Sequence, residues 1–212
     1  MKPDRSDVKP NYWDRAKRAL ARRDPVMGAI MRGHPRVYMT VRGEPFMTLA
    51  RAICGQQISV KAAQSVWDRL VACCGEMTPQ KVLSKPRPEL RACGLSDRKT
   101  EYIADLAQHF ADGRIHARDW PRMGDEEIIA ELTDVRGIGR WTAEMFLIFH
   151  LMRPNVLPLD DVGLLTGISR NYFSGDPVSR SDAREVAAAW NPYCSVATWY
   201  IWRSLDPLPV AY

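Results

Sequence analysis

Apolar residues recur along this chain at helical spacing, and residues that start or stop helices stand between the runs. Glu44-Pro45 precedes Phe46, Leu49, Ala50 and Ile53. Ser59 precedes Ala62, Ala63, Val66, Trp67, Leu70 and Val71, which share one helical face. Ser96 stands ahead of Tyr102, Ile103, Leu106 and Phe110, a run stopped at Gly113. Asp24-Pro25 and Thr78-Pro79 each pair a capping side chain with a proline suited to the first helical turn. Asp125 begins a further helix over Glu126 to Leu132, which breaks at Gly137-Ile138-Gly139, and Thr142 to Leu151 is apolar enough to be buried all round. The last two helices are expected near Ser181–Trp190 and Cys194–Ser204. The strand-like stretch Arg36–Val41 is too short to found a sheet. The pattern predicts an all-α protein of about ten short helices, with the first ten residues a loose tail.

Composition narrows this only a little. A chain of 212 residues, 46% of them apolar, can bury one large core or two small ones. The formal charge of +5 and the sequence pI near 9.0 fit a polyanionic partner, but many soluble enzymes carry as much. Five cysteines, an odd number without framework spacing, read as reduced thiols, and no CxxC or Cys/His cluster points to zinc or iron–sulfur. The opening MKPDRSDVKPNYW has no apolar signal core, and no run is long enough to span a bilayer. The expectation is an intracellular protein, cytoplasmic at the bacterial nucleoid or nuclear in a eukaryote, with no membrane association and no secretion.

The richest segment is LTDVRGIGRWTAEMFLIF, Leu132 to Phe149. A helix runs into Gly-Ile-Gly and a second helix follows at once. Glycines allow a tight turn and close approach of another group, and the first turn of the second helix directs N–H groups outward. Together they form an anion site suited to a DNA phosphate, with Arg136 and Arg140 adding positive charge.

VRGIGRWTA resembles the helix-hairpin-helix of the base-excision DNA glycosylase superfamily. The Pro-containing loop that ends in aspartate in that superfamily is matched by Pro154-Asn155-Val156-Leu157-Pro158-Leu159-Asp160-Asp161. Arg51-Ala52-Ile53-Cys54-Gly55-Gln56-Gln57-Ile58-Ser59 gives a third match. The segment from Trp190-Asn191-Pro192-Tyr193-Cys194-Ser195 through Trp199-Tyr200-Ile201-Trp202-Arg203 resembles the C-terminus of the 3-methyladenine DNA glycosylase II (AlkA) branch. The four matches stand in order over roughly residues 44–205, and the short chain resembles compact members of that branch.

The resemblance makes Asp161 the catalytic carboxylate. An acidic group beside the sugar stabilises the oxocarbenium-like state and can orient or deprotonate a water. Asp160 is expected to serve as a helix cap instead. Trp141 stands where relatives that also cut the backbone carry a lysine, so Schiff-base chemistry is not expected. Trp141, Trp202 and Met145 are the expected base pocket, which is less aromatic than in the branch's best-known member, where tyrosines stand at positions 145 and 162. Trp199 reads as core. Gln57 is the expected wedge that fills the gap left by an extruded base. Arg136, Gly137, Gly139, Arg140 and Thr142 are the expected backbone-binding set.

These roles imply a monofunctional glycosylase acting on alkylated purines of the 3-methyladenine or 7-methylguanine type in damaged duplex DNA. N3 or N7 methylation makes the purine a neutral leaving group, and no histidine among His34, His109, His116 and His150 lies in a motif for a general acid. A glycosylase for other damaged or deaminated bases, and a non-catalytic helix-hairpin-helix DNA-binding protein, remain the alternatives. The expected architecture is two helical lobes flanking an active-site cleft: residues 44–150 with the wedge and hairpin, and residues 11–43 plus 151–205 with the catalytic aspartate. No metal or other cofactor is required by this chemistry, although one monovalent cation at the hairpin is implied by the resemblance. A monomer without an obligate protein partner is expected.

Overall fold

A computed structural model describes residues 9–40 and 43–205. Among these residues the chain is all-α, with no strand. The helices are α1 (Trp13–Arg23), α2 (Pro25–Gly33), α3 (Pro45–Gly55), α4 (Val60–Cys74), α5 (Pro79–Leu83) and α6 (Arg87–Ala92). They continue as α7 (Asp97–Ala111), α8 (Asp125–Thr133), α9 (Arg140–Phe149), α10 (Val162–Tyr172), α11 (Arg180–Ala187) and α12 (Cys194–Leu205). Short 3-10 turns lie at Trp120–Arg122 and Ala188–Trp190.

The capping signals act as their chemistry requires. The side chains of Asp24, Ser59, Thr78 and Ser96 accept the backbone N–H of Met27, Ala62, Lys81 and Lys99, each satisfying one donor that an α-helix leaves over at its start. Helices α1 and α6 have no side-chain cap, and the sequence pattern does not mark them. The stretch at Arg36 is a turn followed by irregular chain through residue 40, and its last expected residue lies outside the described ones. Most of the expected N-terminal tail also lies outside them.

The chain divides into two compact units, one of Met1–Arg42 with Leu147–Tyr212, the other of Gly43–Phe146. The boundary falls within the residues of α9.

In the first unit α1 packs on α2 and α12, and α10 packs on α11 and α12; Trp13 of α1 is 1% exposed. Its ring meets Trp199 edge-on at 5.3 Å between centroids. Helices α10 and α12 cross closely at Gly167, where a Cβ would stand 2.2 Å from Ile201 Cγ2. Asp24 is the polar hub. It is buried, and its Oδ1 accepts Met27 N at 2.9 Å. Its Oδ2 accepts Tyr172 Oη at 2.6 Å and Trp190 Nε1 at 2.8 Å. Burial, then the neighbouring Asp24 carboxylate, push the Tyr172 phenol far up, so it remains a donor. One carboxylate thus ties the start of α2 to the end of α10 and the turn after α11.

The second unit holds α3 to α8 and most of α9. Its core contains Leu70, Leu90, Ile103, Leu106, Ile128 and Leu132, each at 0–1% exposure. Phe46 meets Phe110, and Trp120 meets Phe146, in edge-on pairs 5.5 and 5.2 Å apart.

Asp24→Ala removes a cap and strands two buried donors. The expected loss is roughly 3–5 kcal/mol from the cap and the two orphaned groups, read as a lower urea midpoint with an unchanged slope.

Candidate active site

The hairpin lies in the second unit. Helix α8 ends at Thr133 and α9 begins at Arg140. Between them Ile138 N donates to Val135 O at 3.1 Å and Ala143 N to Gly139 O at 3.1 Å. The two glycines differ in what they are for. Gly137 has φ +86° and lies against Tyr102, so a Cβ there would sit 2.2 Å from the ring. Both backbone and packing therefore require glycine at 137. Gly139 is exposed, with open space where its Cβ would stand. Nothing within the chain requires glycine there, which leaves the backbone approachable from outside.

The two arginines also part company. Arg136 donates its backbone N–H to Asp105 Oδ2 at 2.9 Å, while its side chain is 66% exposed. Arg140 turns its guanidinium onto a fork of carboxylates: Nη1 donates to Glu126 Oε2 at 3.0 Å and Nε to Glu144 Oε1 at 3.0 Å. Glu144 is 4% exposed. The hydrogen bond from Arg140 holds the Glu126 carboxyl below its ordinary value and raises the guanidinium's. The positive charge expected at Arg140 is met by the protein's own acids.

Thr142 is half-buried on the first turn of α9. Trp141 and Met145 stand four residues apart on one face of that helix. Trp141 is 37% exposed and Met145 is buried. Gln57 follows the end of α3, is exposed, and takes φ +59°, a left-handed setting uncommon for a non-glycine residue.

Asp161 and Trp202 are brought together in the first unit. Asp161 is 7% exposed and caps α10, its Oδ1 accepting Leu164 N at 2.6 Å. The same oxygen accepts Trp202 Nε1 at 2.8 Å. Two donors on one oxygen fix the plane of the carboxylate. Gly163 makes room for this pair: a Cβ would stand 3.1 Å from Asp161 Oδ1 and 3.2 Å from Trp202 Cδ1. Phe149 stacks on Trp202 at 5.7 Å, with the rings 19° from parallel. Trp199 is core, as its spacing suggested.

The cap assignment is the reverse of the sequence expectation. Asp160 does not cap α10, and instead pairs with Arg180 at 2.6 Å. Trp202 enters the site through its N–H, an edge-on role that a pocket tryptophan does not imply. Phe149 and Gly163 carried no sequence signal, because their meaning appears only once α10 and α12 are packed together.

Other reactive groups are engaged or buried. His109 lies between Asp105 and Asp134, and His116 Nδ1 is 2.8 Å from Glu131. The five cysteines form no disulfide, and burial pushes the Cys54 thiol up to about 12. Among the described residues, no group of three or more His, Cys, Asp or Glu side chains could hold a metal, and no helix is long and apolar enough to cross a membrane.

Comparison with known proteins extends this picture. A Bacillus subtilis protein provisionally named a DNA-3-methyladenine glycosylase is 30% identical over 188 residues, covering 85% of this chain; the chain spans 66% of that relative, just under two thirds. The crystal structure of a DNA-3-methyladenine glycosidase from Bacillus halodurans superposes with a TM-score of 0.85 at 30% identity, covering 95% of this chain and 91% of the other. The Schizosaccharomyces pombe 3-methyladenine DNA glycosylase in complex with abasic DNA superposes at 0.77 and 29% identity, covering 90% of this chain and 96% of the other. A family model described as HhH-GPD superfamily base excision DNA repair protein matches residues 50–192. With well over half its length inside that match, the chain belongs to the HhH-GPD superfamily of base excision DNA repair proteins.

Proposed function

We propose that this protein is a DNA glycosylase that hydrolyses the N-glycosidic bond of alkylated purines in duplex DNA, without cutting the backbone. One observation carries the reading: a nearly buried carboxylate, Asp161, is held by its own helix and by an indole N–H. The names of the similar proteins and the abasic DNA in one of them support the same activity.

In this mechanism the extruded purine carries the positive charge of its alkyl group. The bond from C1′ to the base breaks, and its electron pair leaves with the purine, which departs neutral. Asp161 faces the electron-poor sugar and stabilises its developing charge. Water then adds to C1′, and its proton passes to the carboxylate or to solvent. Trp141 offers a ring face to a cationic base, an attraction of about 0.5–2 kcal/mol depending on desolvation. Gln57 fills the vacated stack. The turn at Gly137–Gly139 and the start of α9 grip a phosphate. With tryptophan at position 141, no amine is supplied there for a Schiff base. Soluble, monomeric action in the compartment that holds the DNA completes the proposal. A monovalent cation at the hairpin rests on the resemblance. Main-chain oxygens of the hairpin would be its ligands, and Gly137 O in that turn is already engaged by Gln56 Nε2 at 2.8 Å; no chemical step is routed through it.

Asp161→Asn is expected to slow release of 3-methyladenine or 7-methylguanine by about 10²- to 10⁴-fold while duplex binding persists; release at the wild-type rate ends the mechanism. Trp202→Phe keeps an aromatic ring and loses the N–H. It is expected to lower kcat by about tenfold with KM little changed, since one hydrogen bond to a charged group is lost; an unchanged kcat would remove Trp202 from the site. Borohydride treatment during turnover should leave no covalent protein–DNA adduct. A trapped adduct would mean an amine nucleophile and lyase chemistry.

A further inference from the structure

One face of α7 carries Lys99, Tyr102, Asp105 and His109, spaced three, three and four residues apart, as one helical stripe requires. All four engage turns that the proposed reading sets against DNA. Lys99 Nζ donates to Cys54 O at 2.9 Å and Gln56 O at 2.7 Å. Tyr102 fills the space at Gly137. Asp105 accepts Arg136 N, and buried His109 lies with Nδ1 2.8 Å from Asp105 O and Nε2 3.1 Å from Asp134 Oδ2. Gln56 closes the ring, since its side chain donates to Gly137 O in the hairpin turn.

Gln57, the next residue after Gln56, is in a left-handed conformation, which persists only where the surroundings impose it. The peptide plane between Gln56 and Gln57 sets φ of Gln57. The oxygen of that peptide is Gln56 O, and Lys99 holds it. An ammonium has donors enough for both carbonyls, and it lies at the carbonyl-rich end of α3, where positive charge is favoured. Burial lowers the Lys99 pKa, with a smaller opposing effect from Cys54. The lysine is thus partly withdrawn from water for the sake of these two contacts.

We propose that Lys99 is a positioning residue that, with Gln56, fixes the peptide before Gln57, aims that side chain into the gap left by an extruded base, and ties the wedge turn to the hairpin. The proposal rests on the reading of Gln57 as the wedge. Neither Lys99 nor Gln56 needs to touch the reacting atoms.

The test compares Lys99→Met, Lys99→Arg and Gln57→Ala on one alkylated strand, single-stranded or in a duplex. A parallel arm follows fluorescence of 2-aminopurine beside an abasic-site analogue in duplex, which reports unstacking without any chemistry. Lys99→Met is expected to lose about tenfold or more in duplex excision, with a matching loss of the fluorescence rise. Single-strand excision, where no stack has to be filled, should change by less than about twofold. Lys99→Arg should restore most of the activity, and adding Lys99→Met to Gln57→Ala should cost little more, as expected of residues acting as a unit. Wild-type duplex behaviour in Lys99→Met, or equal losses on both strands, overturns the proposal. Should Lys99→Met fail to melt cooperatively, Lys99→Gln is put through the same comparison. If the wild-type protein releases no base from either strand, the glycosylase reading fails, and the fluorescence arm still decides whether Lys99 aims Gln57.

Discussion

The double hydrogen bond to Asp161 Oδ1 is the constraint around which the first unit is arranged. A carboxylate proposed to meet a sugar cation must be shielded from water, yet shielding alone would let it rotate toward any local donor. Here the N-terminus of α10 and the Trp202 indole hold it in one plane. The requirement reaches outward. A side chain at Gly163 would crowd both the indole and the carboxylate, and Gly167 must lack one for α10 and α12 to cross as closely as they do. Asp24 holds the far end of α10 through Tyr172. Helix capping and the catalytic role proposed for Asp161 are compatible in one residue because both ask for a fixed carboxylate oxygen.

In the second unit the comparable element is α7. A single helical stripe sets the positions of two irregular turns, and irregular turns have no regular hydrogen-bond ladder of their own. Rigid support from a helix is the physical means by which loop residues keep a defined geometry.

Legibility in the sequence followed the range of each interaction. Caps at Asp24, Ser59, Thr78 and Ser96 act within three residues, and each was readable from its own segment. Gly137 was readable as a turn glycine, but its second reason, the Tyr102 ring, lies 35 residues away in sequence and left no local trace. The contact between Trp202 and Asp161 spans 41 residues and was likewise invisible as a hydrogen bond. The adjacent aspartates were separable only by resemblance, which left the cap to Asp160, whereas the structure gives the cap to Asp161. Arg140 shows a different gap. The sequence presents a basic residue beside the turn, and only the fold shows Glu126 and Glu144 meeting its charge.

That compensation bears on how a hairpin of this kind would meet DNA. Side-chain charges close to the turn are more than matched: Arg136 lies near Asp105 and Arg140 lies between two glutamates, so two cations meet three carboxylates. The Arg140–Glu126 pair is exposed and adds little stability, while the contact with Glu144 gives a nearly buried carboxylate a partner. Both keep Arg140 from becoming a loose cation at the turn. In the proposed reading, what is left to attract a phosphate is an approachable Gly139, the first-turn N–H groups of α9 and the exposed Arg136 side chain. Dipoles act over a shorter range than free charges and demand closer alignment. A grip built on them fixes where the backbone sits more than how strongly it is drawn in, and register is what an enzyme needs if it must place one sugar carbon against one carboxylate.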